Sequence, residues 1–230
     1  MKSNRTAMPI LCTFVIFGVA AWNAGAKSVA AIVQESSNSS GPLRIWEPST
    51  AEFWRGVPNA TVPKEMVSKI VVSGAPIVLE GTSIIDIAKR FGATVGGRGE
   101  GGDSLRWICM GGNDSGGEWA LWLESGEIEG GMIGDFQWRR VSSGVAFDKR
   151  CRKLKSGSVE LPDRLRLGLT REEVKTILGE PTVWRGQRAI YVHEHTELLH
   201  GEIYTSDNIV EVRFHEGKVQ AIDVSKLTSD

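Results

Sequence analysis

His193, Glu194, His195 and Glu197 are the residues whose types and spacing come closest to chemistry. In an extended strand alternate side chains share a face, so His193 and His195 would stand together, with Glu197 able to join them. Two imidazoles and a carboxylate can supply three ligands of a zinc ion. His200 and His215 could add ligands only if the fold brings them near. The same residues would also suit a solvated sheet face. Hydrolysis would further need an open coordination position and a base, and the sequence displays neither.

The other reactive side chains form no recognisable constellation. No G-x-S-x-G elbow is present, and no cysteine has a histidine beside it. The paired carboxylates Glu172-Glu173 fall in a first helical turn, where their charge suits the helix dipole. Two glycine-rich runs, 96–102 and 111–117, lack the Lys-Ser or Lys-Thr that would follow in a phosphate-binding loop. They read as hairpin or inter-strand loops, a kind of element that can contact a partner. A non-enzymatic chain without a cofactor is the expectation.

Aromatic residues with arginines beside them have the composition of an interface hot spot. Trp107 with Arg106, Trp138 with Arg139 and Arg140, and Trp184 with Arg185 show that pairing. In the run 118–124, Trp119, Leu121 and Leu123 share one phase, so Trp119 belongs to a core. Trp122 falls on the opposite phase. It would be exposed unless another part of the chain covers it. Trp122, Trp107, Arg106, Trp138 and Arg139 are the candidate partner-binding set, with packing inside the fold as the alternative for each.

These residues must be positioned by an internal repeat. The stretch 81–92 (GTSIIDIAKRFG) aligns without a gap on 168–179 (GLTREEVKTILG), 87 positions later. Ser83 and Thr170 occupy N-cap positions, and Asp86 and Glu173 follow three residues on, as in a capping box. Ile84, Ile87, Ala88 and Phe91 form one apolar stripe, and Val174, Ile177 and Leu178 the other. Gly92 and Gly179 are placed to end the helices. Helices this short need a sheet beneath them. Strands are expected at about 104–110, 118–124 and 127–133 in the first copy, and 188–195, 209–215 and 218–224 in the second. Gly126 and Gly217 would mark the same hairpin in each. The expected fold class is α+β: two tandem units, each of short helices packed on an antiparallel β-sheet.

The N-terminus has the three-part layout of a secretory signal peptide. Lys2 and Arg5 precede an apolar run from Pro9 to Ala21, and Ala24-Gly25-Ala26 offers a cleavage site. A mostly apolar run of 13 residues is short for a membrane span. Without residues 1–26 the chain keeps 25 basic and 28 acidic residues, a net charge of −3. That balance gives no electrostatic case for nucleic acid. Residues 27–63 read as a linker or arm, 64–150 as the first repeat and 151–230 as the second. Cys109 and Cys151 remain, and in an oxidising periplasm or outside the cell an isolated pair reads as one disulfide.

Gly168-Leu169-Thr170, Val174, Leu178-Gly179 and Pro181 resemble the helix signature of small outer-membrane-assembly lipoproteins of the BamE/SmpA type. Val212-Arg213-Phe214 with Gly217-Lys218-Val219 is similar to that family's final hairpin. A tandem of two such units looks like the arrangement of the β-lactamase-inhibitory proteins. The likeness covers about 161–224 well and 76–133 weakly. It implies an exported protein that binds another protein, with inhibition of a partner enzyme as one form. The single-repeat relatives imply instead an accessory role in envelope assembly. These relatives are lipid-anchored through an N-terminal cysteine, whereas Cys12 lies inside the apolar run. The third reading is the zinc-binding protein or metal-dependent enzyme around His193 and His195.

Overall fold

The computed structural model describes residues 67–99, 104–126, 129–141, 151–155, 157–200 and 202–229. The signal-like segment 1–26 and the arm 27–63 lie outside the described residues, as do 100–102 of the first glycine-rich run.

Two β-sheets organise what is described. A small one has the order β2-β1-β8, from Lys69–Val72 (β1), Ala75–Val78 (β2) and Val159–Glu160 (β8). The large one has nine strands: Gly96–Arg98 (β3), Leu105–Asp114 (β4), Gly117–Gly126 (β5), Asp135–Arg140 (β6), Arg152–Lys153 (β7), Val183–Arg185 (β9), Arg188–Leu199 (β10), Glu202–His215 (β11) and Lys218–Ser229 (β12). Its order is β3-β4-β5-β6-β12-β11-β10-β9, and β7 joins β4 as a short parallel partner. Two α-helices, Ile84–Phe91 (α1) and Arg171–Leu178 (α2), and a 3₁₀ turn at Pro162–Arg164 complete it.

This corrects the expected fold class. Strands hold 58 % of the interpretable residues and helices 13 %, and the strands merge into one sheet instead of two helix-on-sheet units. The physical reason lies at the seam. β6 and β12 would each be an open edge, and unpaired backbone groups at an edge favour pairing with another strand. Here they pair with each other, with Phe136 opposite Val224 and Trp138 opposite Ile222. Period-two patterns within a strand say nothing of such a pairing.

Working outward from the seam, the two halves match. Phe136, Leu123 and Ile108 stand side by side across three strands, as Ile222, Val212 and Ala189 do on the other side. The helix starts match too. Ile133 N–H donates to the Thr82 carbonyl at 2.9 Å, and Val219 N–H to that of Leu169 at 2.8 Å. From Ile108 to Leu123 is 15 positions and from Ala189 to Val212 is 23, so the β10–β11 hairpin is eight residues longer than β4–β5.

Local chemistry explains most elements. Thr170 and Glu173 make the reciprocal capping box of α2, while Ser83 makes no side-chain cap on α1. Gly92 ends α1 in the left-handed region, but Gly179 leaves α2 with φ 86° and ψ −163°, a different exit. The expected strand at 127–133 is corrected: its described residues 129–132 are largely a turn and the strand runs 135–140. Gly111 to Asp114 belong to β4 instead of a loop, and Gly112 leaves room there for the Trp119 ring, which a Cβ would approach to 2.4 Å. One face of the large sheet packs under α1, α2 and the small sheet. Ile108, Met110, Trp119, Leu121, Leu123, Phe136, Tyr191, Val212 and Val224 form its centre.

Candidate functional site

The partner-binding candidates do not share one patch. Because directly paired residues point to the same side, Trp107, Trp122 and Arg139 lie on the face opposite the helices, while Arg106 and Trp138 take the helix-side phase. Trp138 is buried in the main core with its ring edge-on to Trp119, centroids 6.5 Å apart. Trp107 is half-buried over Gly96 at the β3–β4 pair. Arg106 is exposed. Trp122 is only 7 % exposed, packed with Cys109, Ala120 and Cys151. It is therefore a support and not a free anchor: the Arg139 guanidinium lies 4.1 Å above its ring centroid, within the range of a cation–π contact.

Cys109 and Cys151 are joined, with Cα atoms 4.4 Å apart. The bond ties segment 151–153 against β4, where Arg152 pairs with Met110.

The opposite face carries a feature that no single stretch of sequence displayed. Arg139, Ala221, Arg213, Arg188 and Arg185 fall in one row across five strands, β6-β12-β11-β10-β9. The neighbouring row is Trp122, Gln137, Asp223, Glu211 and Ile190. Buried carboxylates thus lie beside arginines whose side chains remain about a third exposed. Arg188 grips Glu211 with both arms of its fork, Nε donating to Oε1 at 2.7 Å and Nη2 to Oε2. Arg213 Nε donates to Glu211 Oε1 at 2.5 Å. Its Nη2 sits 2.9 Å from Asp223 Oδ2, close enough for an ion pair but off the line of a hydrogen bond. At the far end, Gln137 Nε2 donates to Glu124 Oε1 at 2.9 Å.

The electrostatics follow from this arrangement. Burial alone would raise the Glu211 carboxyl, but hydrogen bonds and charge from Arg188 and Arg213 outweigh it and hold it low. Asp223 is more deeply buried and less well bonded, so burial pushes it up to about 6 despite Arg213. Burial also lowers Arg139. Arg213, though burial opposes it, is raised by Asp223 and Glu211. Arg188 and Arg213 are therefore held in fixed directions by the carboxylates beneath them while about a third of each side chain remains exposed.

His193 and His195 share a face of β10, with ring centroids 6.5 Å apart. Burial, then His195, lowers the pKa of His193. Its Nδ1 is buried without a hydrogen-bond partner. Glu197 pairs through its backbone with Tyr204, and its side chain lies outside the described residues. His215 stands nine residues along β11 from Ser206, the partner of His195, or about 30 Å. Among the described residues no group of three His, Cys, Asp or Glu side chains is placed to hold a metal ion. Among them, too, no helix is long and apolar enough to cross a membrane.

With this geometry in view, comparison identifies no relative: no protein family, no curated protein and no solved structure matches the chain.

Proposed function

We propose that this chain is an exported, non-enzymatic protein-binding module that engages an acidic partner surface through the arginine row on the face opposite the helices. The observation that carries the reading is the pre-ordering of Arg188 and Arg213 by Glu211 and Asp223. An arginine already held in place loses less side-chain entropy when it meets a partner carboxylate. Arg139 over Trp122 extends the row with a rigid, half-buried cation. The disulfide and the signal-like N-terminus are consistent with a periplasmic or secreted site of action. The likeness of 161–224 to the envelope-assembly lipoproteins, and of the tandem helices to the β-lactamase-inhibitory proteins, supports a binding role, with steric block of an enzyme as one form of it.

The test is affinity capture from an envelope extract, followed by titration of the captured protein against wild type, Arg139→Ala and Arg188→Ala. A hot-spot residue contributes about 2 kcal/mol, so each substitution should weaken Kd roughly 30-fold and reduce its salt dependence. Unchanged affinity in folded variants would remove the arginine row as the binding face. Capture of a β-barrel assembly component would favour the envelope-assembly role over inhibition.

A further inference from the structure

We propose that the chain self-associates head to tail, the tip of the β10–β11 hairpin of one copy docking on an apolar patch beside α1 of a second copy.

The tip is the part of the molecule that exceeds the match between its halves. Its eight additional residues carry the strands past their neighbours. β9 covers β10 only from Arg188 to Ile190, and β12 pairs with β11 only from Thr205 onward. Leu198 and Ile203 pair across the projecting end and are 69 % and 65 % exposed. They are side by side on one face, so they present a single apolar knob. Between Arg188 and Arg213 the chain contains no Lys or Arg, and Glu194 and Glu202 stand exposed on the tip strands.

The remaining large exposed hydrophobics among the described residues are Val78, Ile85 and Met132. Backbone contacts bring their two segments, 78–85 and 131–132, side by side. Val78 N–H donates to Thr82 Oγ1 at 2.9 Å, Ser83 bridges to Met132, and Ile84 N–H donates to the Gly131 carbonyl at 3.1 Å. Exposed lysines border this patch: Lys69 is opposite Val78 in β1–β2, and Lys89 follows Ile85 by one turn of α1. Asp86 is the acid on that helix. An acidic apolar knob and an apolar patch bordered by lysines are complementary in charge and in apolar character. Both remain exposed within one molecule, so neither is satisfied by the other there. Because the two surfaces differ, the contact is heterologous and can extend beyond two copies.

The experiment is sedimentation velocity of the purified chain over a concentration series, with Leu198→Asp as the knob variant and Ile85→Asp as the patch variant. Wild type should show concentration-dependent growth in sedimentation coefficient, and each variant alone should remain monomeric. Mixed in equal amounts, the two variants should form a complex limited to two copies, because each retains the half the other lacks. Circular dichroism checks that both variants are folded. Four outcomes would overturn the proposal: a monomeric wild type at its highest soluble concentration, association that survives in Leu198→Asp, association that survives in Ile85→Asp, or no recovery on mixing folded variants. The arginine row is not part of this contact, so failure here leaves the partner-binding reading standing, and the reverse also holds.

Discussion

The β4–β5 and β10–β11 hairpins occupy matching places in the sheet, yet they have been put to opposite uses. β4–β5 turns tightly at Ser115-Gly116, where Asp114 Oδ1 accepts from Gly116 N–H at 2.7 Å and from Arg140 at 2.6 Å. It is covered on one face by the core and stapled on the other by Cys109–Cys151. β10–β11 runs eight residues further and ends in exposed Leu198 and Ile203. The first hairpin therefore serves stability, and the second has surface to offer. The contrast shows that equal topology does not imply equal roles: what differs is how much of each hairpin the rest of the chain covers.

Substitutions sharpen this comparison. The largest effect is expected in the stapled hairpin, where Trp119 fills the space above Gly112. Trp119→Ala should cost about 3–5 kcal/mol, measured by urea denaturation. If it costs under about 1 kcal/mol, the packing described for β4–β5 is wrong. Cys109→Ser should cost roughly 3–4 kcal/mol by the loop-entropy argument for a 42-position loop, and the same loss should follow reduction of the wild type.

Asp223, at the seam, gives a pH-dependent term. Its folded pKa is raised from 3.8 to about 6, so the folded state holds this proton more tightly than the unfolded one. The resulting stability is fully present below about 3.8 and is lost as pH rises through 6. Glu211 works in the other direction: its lowered pKa adds stability above the unfolded value that is lost as pH falls. Denaturation midpoints of Asp223→Asn between pH 4 and 7 should therefore lack the decline attributable to Asp223. An unchanged pH profile would count against the buried, raised carboxyl.

Smaller effects separate the helices and the hairpin tips. Thr170→Ala removes a complete capping box and should cost about 1 kcal/mol, while Ser83→Ala should cost only a few tenths. Equal losses would contradict the difference in cap geometry. Leu198→Ser should change thermal stability by no more than about 0.5 kcal/mol, since little of the fold rests on it.

The sequence made the local chemistry legible. The Thr170–Glu173 box, the apolar stripes of both helices and the inward phase of Trp119 could be read from spacing, and the cysteine pair from its being isolated in a chain with a signal-like start. The β1–β2 hairpin is absent from the expected strands, although Ser73-Gly74 between the apolar runs KIVV and APIV is a recognisable turn signal. Both turn residues adopt positive φ, as a two-residue hairpin requires. β6 lies beyond the expected stretch: Glu127 to Ile133 has strand-like composition, but Gly130 and Gly131 take positive φ and make a turn, so the strand starts at Asp135. The arginine row was out of reach. Its members come from four strands between positions 139 and 213, and only the pairing of β6 with β12 brings Arg139 into line with Arg213. Arg139 could be singled out from its neighbours in sequence; the carboxylates that order Arg188 and Arg213 could not.

The seam also has a consequence for the order in which the chain can become whole. β12 comes last among the described strands, yet it lies in the middle of the nine-stranded sheet, hydrogen-bonded to β6 on one side and β11 on the other. Until residues 218–229 emerge during synthesis, the earlier strands have no centre to close upon, and β6 presents an open edge to any other nascent chain. The β6 edge therefore stays unpaired through the making of β7 to β11, and the growing chain is most exposed to faulty pairing in the interval before β12 arrives.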